Sequence, residues 1–216
     1  MQLIGVDTQR AYDRIREMII SLVLEPGALV DEHALADQLN FGVTPIREAL
    51  KLLAHDNLIE VSKHQGIYVS RISTEDLKLL SEVRVLLEGA TARMAAQRAK
   101  EDDILVMEAL IDEQKGIPEE DKRAWFEIDH KLHQAIAAAA HNRYLGESLE
   151  YYFGLSQRLW YLVLPKLKYL SRSVEEHADL VKSIKERNPD KAGEIMVSHV
   201  RSFYQKVHEI IEAEQG

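Results

Sequence analysis

Residues 31 to 55 read DEHALADQLNFGVTPIREALKLLAH. Ala34, Leu35 and Leu39 fall on one side of a short helix over 31–39, the spacing of an amphipathic helical turn. Asn40 to Val43 interrupts the pattern, and Thr44-Pro45 opens a second helix over 45–55. Thr at an N-cap accepts a free backbone N–H, and Pro at the first helical position has no N–H to leave unpaired. On the N-terminal side, Ile15, Met18, Ile19 and Leu22 mark a helix over 9–24 that stops at Glu25-Pro26-Gly27. On the other side, IEV (59–61) and GIYVS (66–70) flank SKHQ, which predicts a small β-hairpin with Gly66 easing the return.

Three helices followed by a hairpin give the layout of a winged helix-turn-helix. In that layout the helix 45–55 enters a DNA major groove by its N-terminal end. Arg47 in its first turn then faces phosphates or base edges and Lys51 faces the backbone one turn later, while Lys63, His64 and Gln65 on the hairpin reach the adjacent minor groove or phosphates. Val43, Thr44 and Gly66 complete the DNA-facing set. The same topology also suits a small domain with a structural role alone. Residues 1–70 carry six Lys/Arg against ten Asp/Glu, a net of −4. Since phosphate contacts supply much of DNA affinity, modest binding by each domain is expected, offset by pairing two domains on a palindromic site.

Beyond residue 70 the texture is almost wholly helical. Ser73 or Thr74, with Glu75 and Asp76 in the first turn, opens a helix to about residue 99. Further helices are predicted at 101–114, 119–140, 143–163, 166–187 and 190–213, broken at Gly116-Ile117-Pro118 and Asn188-Pro189. The fold class is therefore mainly α: a winged helix-turn-helix over 1–70, a linker over 71–76, and an antiparallel bundle of about six helices over 77–216. With 46% hydrophobic residues, 10 Gly and 5 Pro in 216 positions, the chain can bury a substantial core. It has no Cys, which excludes disulfides, thiolate metal sites and cysteine nucleophiles and leaves His and carboxylates as metal ligands. No apolar run approaches the ~20 residues that span a bilayer, and the N-terminus lacks a basic region followed by an apolar core, so a cytoplasmic protein without membrane contact is expected. The formal charge of −9 argues against a wholly basic nucleic-acid coat.

Within EIDHKLHQAIAAAAHN, residues 127–142, Asp129, His130 and His133 interrupt an apolar helix. Projected at ~100° per residue from Ile128, Leu132 lies at ~40°, Ile136 at ~80° and Ala140 at ~120°; Asp129 at ~100° and His133 at ~140° fall inside that arc, and His130 at ~200° points to solvent with Glu127, Lys131 and Gln134. His177 shares a stripe with Val174, Val181 and Ile184, and His199 shares one with Ala192, Met196, Phe203, Val207 and Ile210. A carboxylate and three imidazoles buried without partners would cost several kcal/mol, and one metal ion would satisfy all four. Asp129 and His133 at i, i+4 lie one turn apart on one face. Three nitrogens and one oxygen suit Zn²⁺, Ni²⁺, Mn²⁺ or Fe²⁺. Hydrogen-bonded core histidines are the alternative. His141 is expected in solvent, as is the run Glu101-Asp102-Asp103, which starts a helix.

The string from Ala11 to Val69 resembles the DNA-binding domain of GntR-type bacterial transcription regulators. The resemblance rests on the opening helix, Pro26-Gly27, Glu32 with Leu35-Ala36, the run Thr44-Pro45-Ile46-Arg47-Glu48-Ala49-Leu50, Leu58-Ile59 and Gly66. Where that family usually reads Gly-Val-Ser-Arg before Thr-Pro, this chain has Asn40-Phe41-Gly42-Val43; a valine can touch a thymine methyl but cannot pair with phosphate or guanine. The C-terminal part is similar to the FCD effector domain of the FadR-like branch in its VanR-type form. Asp129, His133, His177 and His199 match that form's metal positions, and Asn142 matches a helix-end cap. The resemblance implies a small carboxylate effector beside the metal. Arg84, on the stripe Leu77, Leu80, Leu87 and Met94, suits a bidentate clamp for it; an i, i+4 pair with Glu88 or a pair with Asp129 is the structural alternative.

Together these features predict a homodimeric DNA-binding regulator, a repressor of a palindromic operator, that holds one divalent metal ion and a small organic acid. A helical-bundle metalloenzyme would use the same ligands to activate water, but the chain has neither His-Glu-x-x-His nor the paired Glu-x-x-His of a di-iron bundle. A regulator with a purely structural metal is the third reading.

Overall fold

A computed structural model describes residues 5–63, 66–71, 73–118, 120–163, 166 and 170–215. The chain forms two compact units; one runs to Ser73 and takes in Gln157–Tyr161, and the other comprises Thr74–Ser156 and Leu162–Gly216.

In the N-terminal unit, α1 (Val6–Ile20) buries Ala11, Ile15, Ile19 and Ile20, and α3 (Val43–His55) buries Ile46, Ala49, Leu50 and Leu53, so the two apolar faces share one small core. α1 ends earlier than residue 24 because Leu22 turns to φ 60. α2 (Glu32–Leu39) starts at Asp31, whose carboxylate accepts from the backbone N–H of His33 (2.8 Å) and Ala34 (3.1 Å). It ends at Asn40 in the left-handed region (φ 56), which Asn tolerates better than most residues. The expected Thr44 cap is corrected by two residues: Gly42 is the N-cap, so Val43, Thr44 and Pro45 occupy the first three helical positions. Pro45 fits there because the first N–H groups of a helix have no intrahelical partner.

The expected hairpin is present as β2 (Ile59–Ser62) and β3 (Gly66–Val69), with Ile59 opposite Val69 and Ser62 opposite Gly66. Gly66 takes φ 109, a conformation that strains any side chain. A third strand, β1 (Leu29–Val30), pairs antiparallel with β3, giving the order β1-β3-β2. Two residues are too few to show an alternating pattern, so this strand was not expected. His64 and Gln65, predicted at the hairpin tip, lie outside the described residues.

Six helices follow among the described residues: α4 (Thr74–Arg98), α5 (Glu101–Lys115), α6 (Lys122–Ala139), α7 (Arg143–Val163), α8 (Leu170–Lys185) and α9 (Pro189–Gln215). Short polar side chains set four of their starts. Asp103 accepts from the Lys100 N–H (2.7 Å), Asp121 from Ala124 (3.0 Å) and Asn188 from Lys191 (3.1 Å). Asn142 caps the start of α7 by accepting from Leu145 (3.4 Å). The core face of α9 runs through Ala192, Met196, His199, Val200, Tyr204 and Val207; Tyr204, not Phe203, takes the inward position. No helix among the described residues is long and apolar enough to cross a membrane.

α4 and α9 pack closely through two glycines. A Cβ placed on Gly89 would sit 2.6 Å from Cγ2 of Val197, whereas one on Gly193 would meet the side chain of Arg93. Valine is stiff about χ1, so it cannot yield without moving a helix; an arginine can swing its end away. Gly89→Val is therefore expected to lower stability by about 1–3 kcal/mol through overpacking. A denaturant melt checks this: a midpoint equal to wild type would mean that the two helices separate freely.

Candidate functional site

The four ligand candidates come from three helices of the bundle. α6 carries Asp129 and His133 one turn apart, α8 brings His177, and α9 brings His199. One ligand atom from each of the four lies within 4.8 Å of all the others. Asp129, His177 and His199 are buried at 2%, 1% and 8% exposure, and the His133 side chain is 8% exposed.

The outer nitrogens of the three rings are all engaged. The Nδ1–H of His133 donates to Glu88, that of His177 to the Gln114 side-chain carbonyl (3.0 Å), and that of His199 to Glu176 (3.0 Å). A proton held on Nδ1 leaves Nε2 as a bare lone pair. The His177 and His199 Nε2 atoms stand 3.1 Å apart, and Asp129 Oδ1 is 3.4 Å from His177 Nε2 with no hydrogen-bond partner of its own. One ligand atom from each of three imidazoles and a buried carboxylate oxygen without a hydrogen-bond partner thus come together in one small space. A cation held there would satisfy the carboxylate oxygen and take up the ring lone pairs. The residues therefore fit a divalent metal bound by three nitrogens and one oxygen, with outer acceptors fixing each ring.

The electrostatics differ from ring to ring. Burial, reinforced by His199 and His133, holds His177 well below the usual imidazole range, so it is neutral and able to ligate. Burial opposes protonation of His133 as well, but Glu88 outweighs it and raises the pKa. Glu88 is fully enclosed; burial raises its pKa, and Arg84 and then His133 more than reverse this, leaving it pushed down to about 2.

Arg84 is buried at 3% exposure. Its Nε donates to Glu88 Oε1 at 2.7 Å, its Nη2 reaches the same oxygen, and its Nη1 stands 3.4 Å from the Tyr204 hydroxyl. The guanidinium also lies 5.0 Å from the Phe153 ring centre. Of the two structural alternatives for Arg84, the pair with Glu88 is the one formed. A cavity of about 30 Å³ adjoins Glu88, lined also by His130, His133, Leu149, Glu150 and Phe153 among others. That is room for no more than a couple of water molecules.

His130 departs from expectation. It stacks on Phe153 with ring centres 3.8 Å apart and contacts Glu150 at 3.2 Å, because α7 covers the flank of α6 that periodicity assigns to solvent. His141 is exposed, as expected, and contacts Asp103 at 2.8 Å. Sequence reasoning missed Gln114, Tyr204 and the roles of Glu88 and Glu176. Gln114 carried a readable signal, since it continues the buried α5 spacing of Ile104, Met107 and Ile111.

In the N-terminal unit, Thr44, Arg47, Lys51, Lys63 and Gly66 are exposed and Val43 half-buried. Arg47 is held by Glu32 of α2 through three contacts of 2.8–3.2 Å, and Lys51 by Glu48 at 2.8 Å. Both basic side chains of α3 therefore have local acidic partners.

Comparison with known proteins places these features. Residues 7–69 match the family model of bacterial regulatory proteins, gntR family, and residues 79–202 match the FCD domain. The chain is similar to the HTH-type transcriptional repressor RspR of Escherichia coli K12, at 25% identity over 94% of this chain and 89% of that protein. It is also similar to the Glc operon transcriptional activator of the same organism, at 27% identity over 92% and 87%. In fold it resembles E. coli McbR/YncC, with a TM-score of 0.84 at 18% identity over 96% of this chain and 99% of the other. With one model covering α1 to β3 and the other most of the helical bundle, the chain belongs to the gntR family of bacterial regulatory proteins and carries an FCD domain.

Proposed function

We propose that this DNA-binding transcription regulator is a cytoplasmic homodimeric repressor of the FadR-like, VanR-type branch. Its DNA-reading domain spans residues 1–70, its linker 71–76 and its sensor domain 77–216. The sensor holds one divalent ion, Zn²⁺, Ni²⁺, Mn²⁺ or Fe²⁺, on Asp129, His133, His177 and His199, and responds to a small organic acid recognised at Arg84. The observation that carries the metal is the convergence of one ligand atom from each of the four side chains within 4.8 Å, around an Asp129 oxygen buried with no hydrogen-bond partner. The dimer is supported by Leu79 and Leu86, 51% and 73% exposed on α4 and two helical turns apart, an apolar stripe suited to an isologous contact. Val43, Thr44, Arg47, Lys51, Lys63, His64 and Gly66 form the DNA-reading set.

Gel shifts on the DNA upstream of the protein's own gene, with metal-loaded protein and a panel of small carboxylates, test the whole reading. A retarded band that one acid releases supports it. No band at low salt would sink the operator; a band that responds to metal removal but to no acid would leave the ion structural.

Arg47 gives a separate expectation. With Glu32 occupying its fork, its contribution to phosphate binding is muted. Glu32→Gln should tighten binding to arbitrary duplex DNA and steepen the slope of log K against log salt by about 1, the share of one freed phosphate contact. Fluorescence anisotropy between about 50 and 200 mM salt reads this directly, and an unchanged slope would mean that Arg47 does not face DNA.

A further inference from the structure

Glu88 stands where a free carboxylate would stand. Its Oε1 takes two N–H groups of Arg84 and its Oε2 takes the His133 Nδ1–H, so one side chain fills a seat made by a guanidinium and an imidazole. The fit is imperfect. Both Arg84 donors share a single oxygen, and Nη1 is left with a 3.4 Å contact to Tyr204, whereas a free acid could give the fork two parallel bonds. Reaching from i+4 on the same helix, Glu88 cannot offer that geometry. The cavity touching Glu88 and His133 measures only about 30 Å³, too little for an organic acid while Glu88 stays in place.

We infer that Glu88 is an internal occupant of the effector's seat, and that an entering small carboxylate takes over Arg84 and His133 by exchanging with it. This rests on the sensor reading above. The exchange also has a mechanical side: Glu88 ties α4 to His133 on α6, and α4 is the helix that follows the linker. Displacing Glu88 unties α4 from the metal-bearing helix, which gives ligand entry a conformational output.

The test uses full-length, metal-loaded wild type, Glu88→Ala and Glu88→Gln, titrated with sodium acetate against a sodium chloride control, by calorimetry and thermal shift, with metal content measured throughout. Glu88→Ala vacates the seat. Acetate should bind it about tenfold or more tighter than wild type and raise its melting temperature by about 3–6 °C at ten times the dissociation constant. Glu88→Gln keeps the volume but is easier to displace, and should fall between the two. If Glu88→Ala folds only in the presence of acetate, that dependence is itself the expected result. Equal acetate affinity in all three proteins would overturn the inference; a wild-type response to another acid in the panel would then leave the sensor reading standing. Acetate binding to Glu88→Ala, with no acid binding wild type, would mean that Glu88 never leaves its seat and would overturn exchange and sensor together.

Discussion

Stripping the metal with a chelator is expected to lower the melting temperature by about 8–16 °C. An ion present at a thousandfold excess over its dissociation constant stabilises the folded state by about 4.1 kcal/mol. In a chain of this length each kcal/mol moves the midpoint by about 2–4 °C. The loss is the larger because, without the ion, Asp129 Oδ1 stays buried with no hydrogen-bond partner. His177→Ala should bind no metal and melt at the same temperature with and without chelator. Differential scanning calorimetry with elemental analysis checks both proteins. Identical midpoints for loaded and stripped wild type would mean that the four side chains form a hydrogen-bonded polar core.

Arg84→Met should cost about 3–5 kcal/mol, the usual penalty for leaving one partner of a buried ion pair alone. Both side chains of the pair are only 4% exposed, so water cannot make good the loss. Arg84→Met with Glu88→Leu should recover most of the stability, because two apolar groups of similar size replace two charges that were costly to dehydrate. His133 then loses the acceptor on its Nδ1, and the double variant should hold its metal about 10–100-fold more weakly. Denaturant unfolding and a competition titration for metal measure the two effects separately. A double variant no more stable than Arg84→Met would show that packing, not charge, is what this position supplies.

The sequence was most readable where one element decides the outcome alone. Period 3.6 brought Asp129, His133, His177 and His199 onto inward faces, and composition with turn residues gave the order of helices. The residues that were not legible depend on a neighbour from elsewhere in the chain. His130 projects away from the apolar arc of α6, yet α7 supplies Phe153 to cover it. β1 exists only because β3 offers an edge to Leu29 and Val30. Gln114 has no motif, since accepting one N–H from a ring on another helix requires no particular spacing. The cap of α3 differs from expectation for a local reason: Thr44-Pro45 makes a good start signal, and Gly42, two residues earlier, lacks the side chain that would announce it.

The pairing of α3's basic residues with acids bears on how the protein finds its target in a genome. Arg47 and Lys51 each arrive with a carboxylate already in place, and the N-terminal seventy residues are net negative. A grip on arbitrary duplex DNA comes almost entirely from such cations, so this protein should spend little time parked on the ~10⁶–10⁹ competing sites of a genome. More of it then stays free in solution, and occupancy of the correct site tracks the number of regulator molecules in the cell rather than being drained by bulk chromosome.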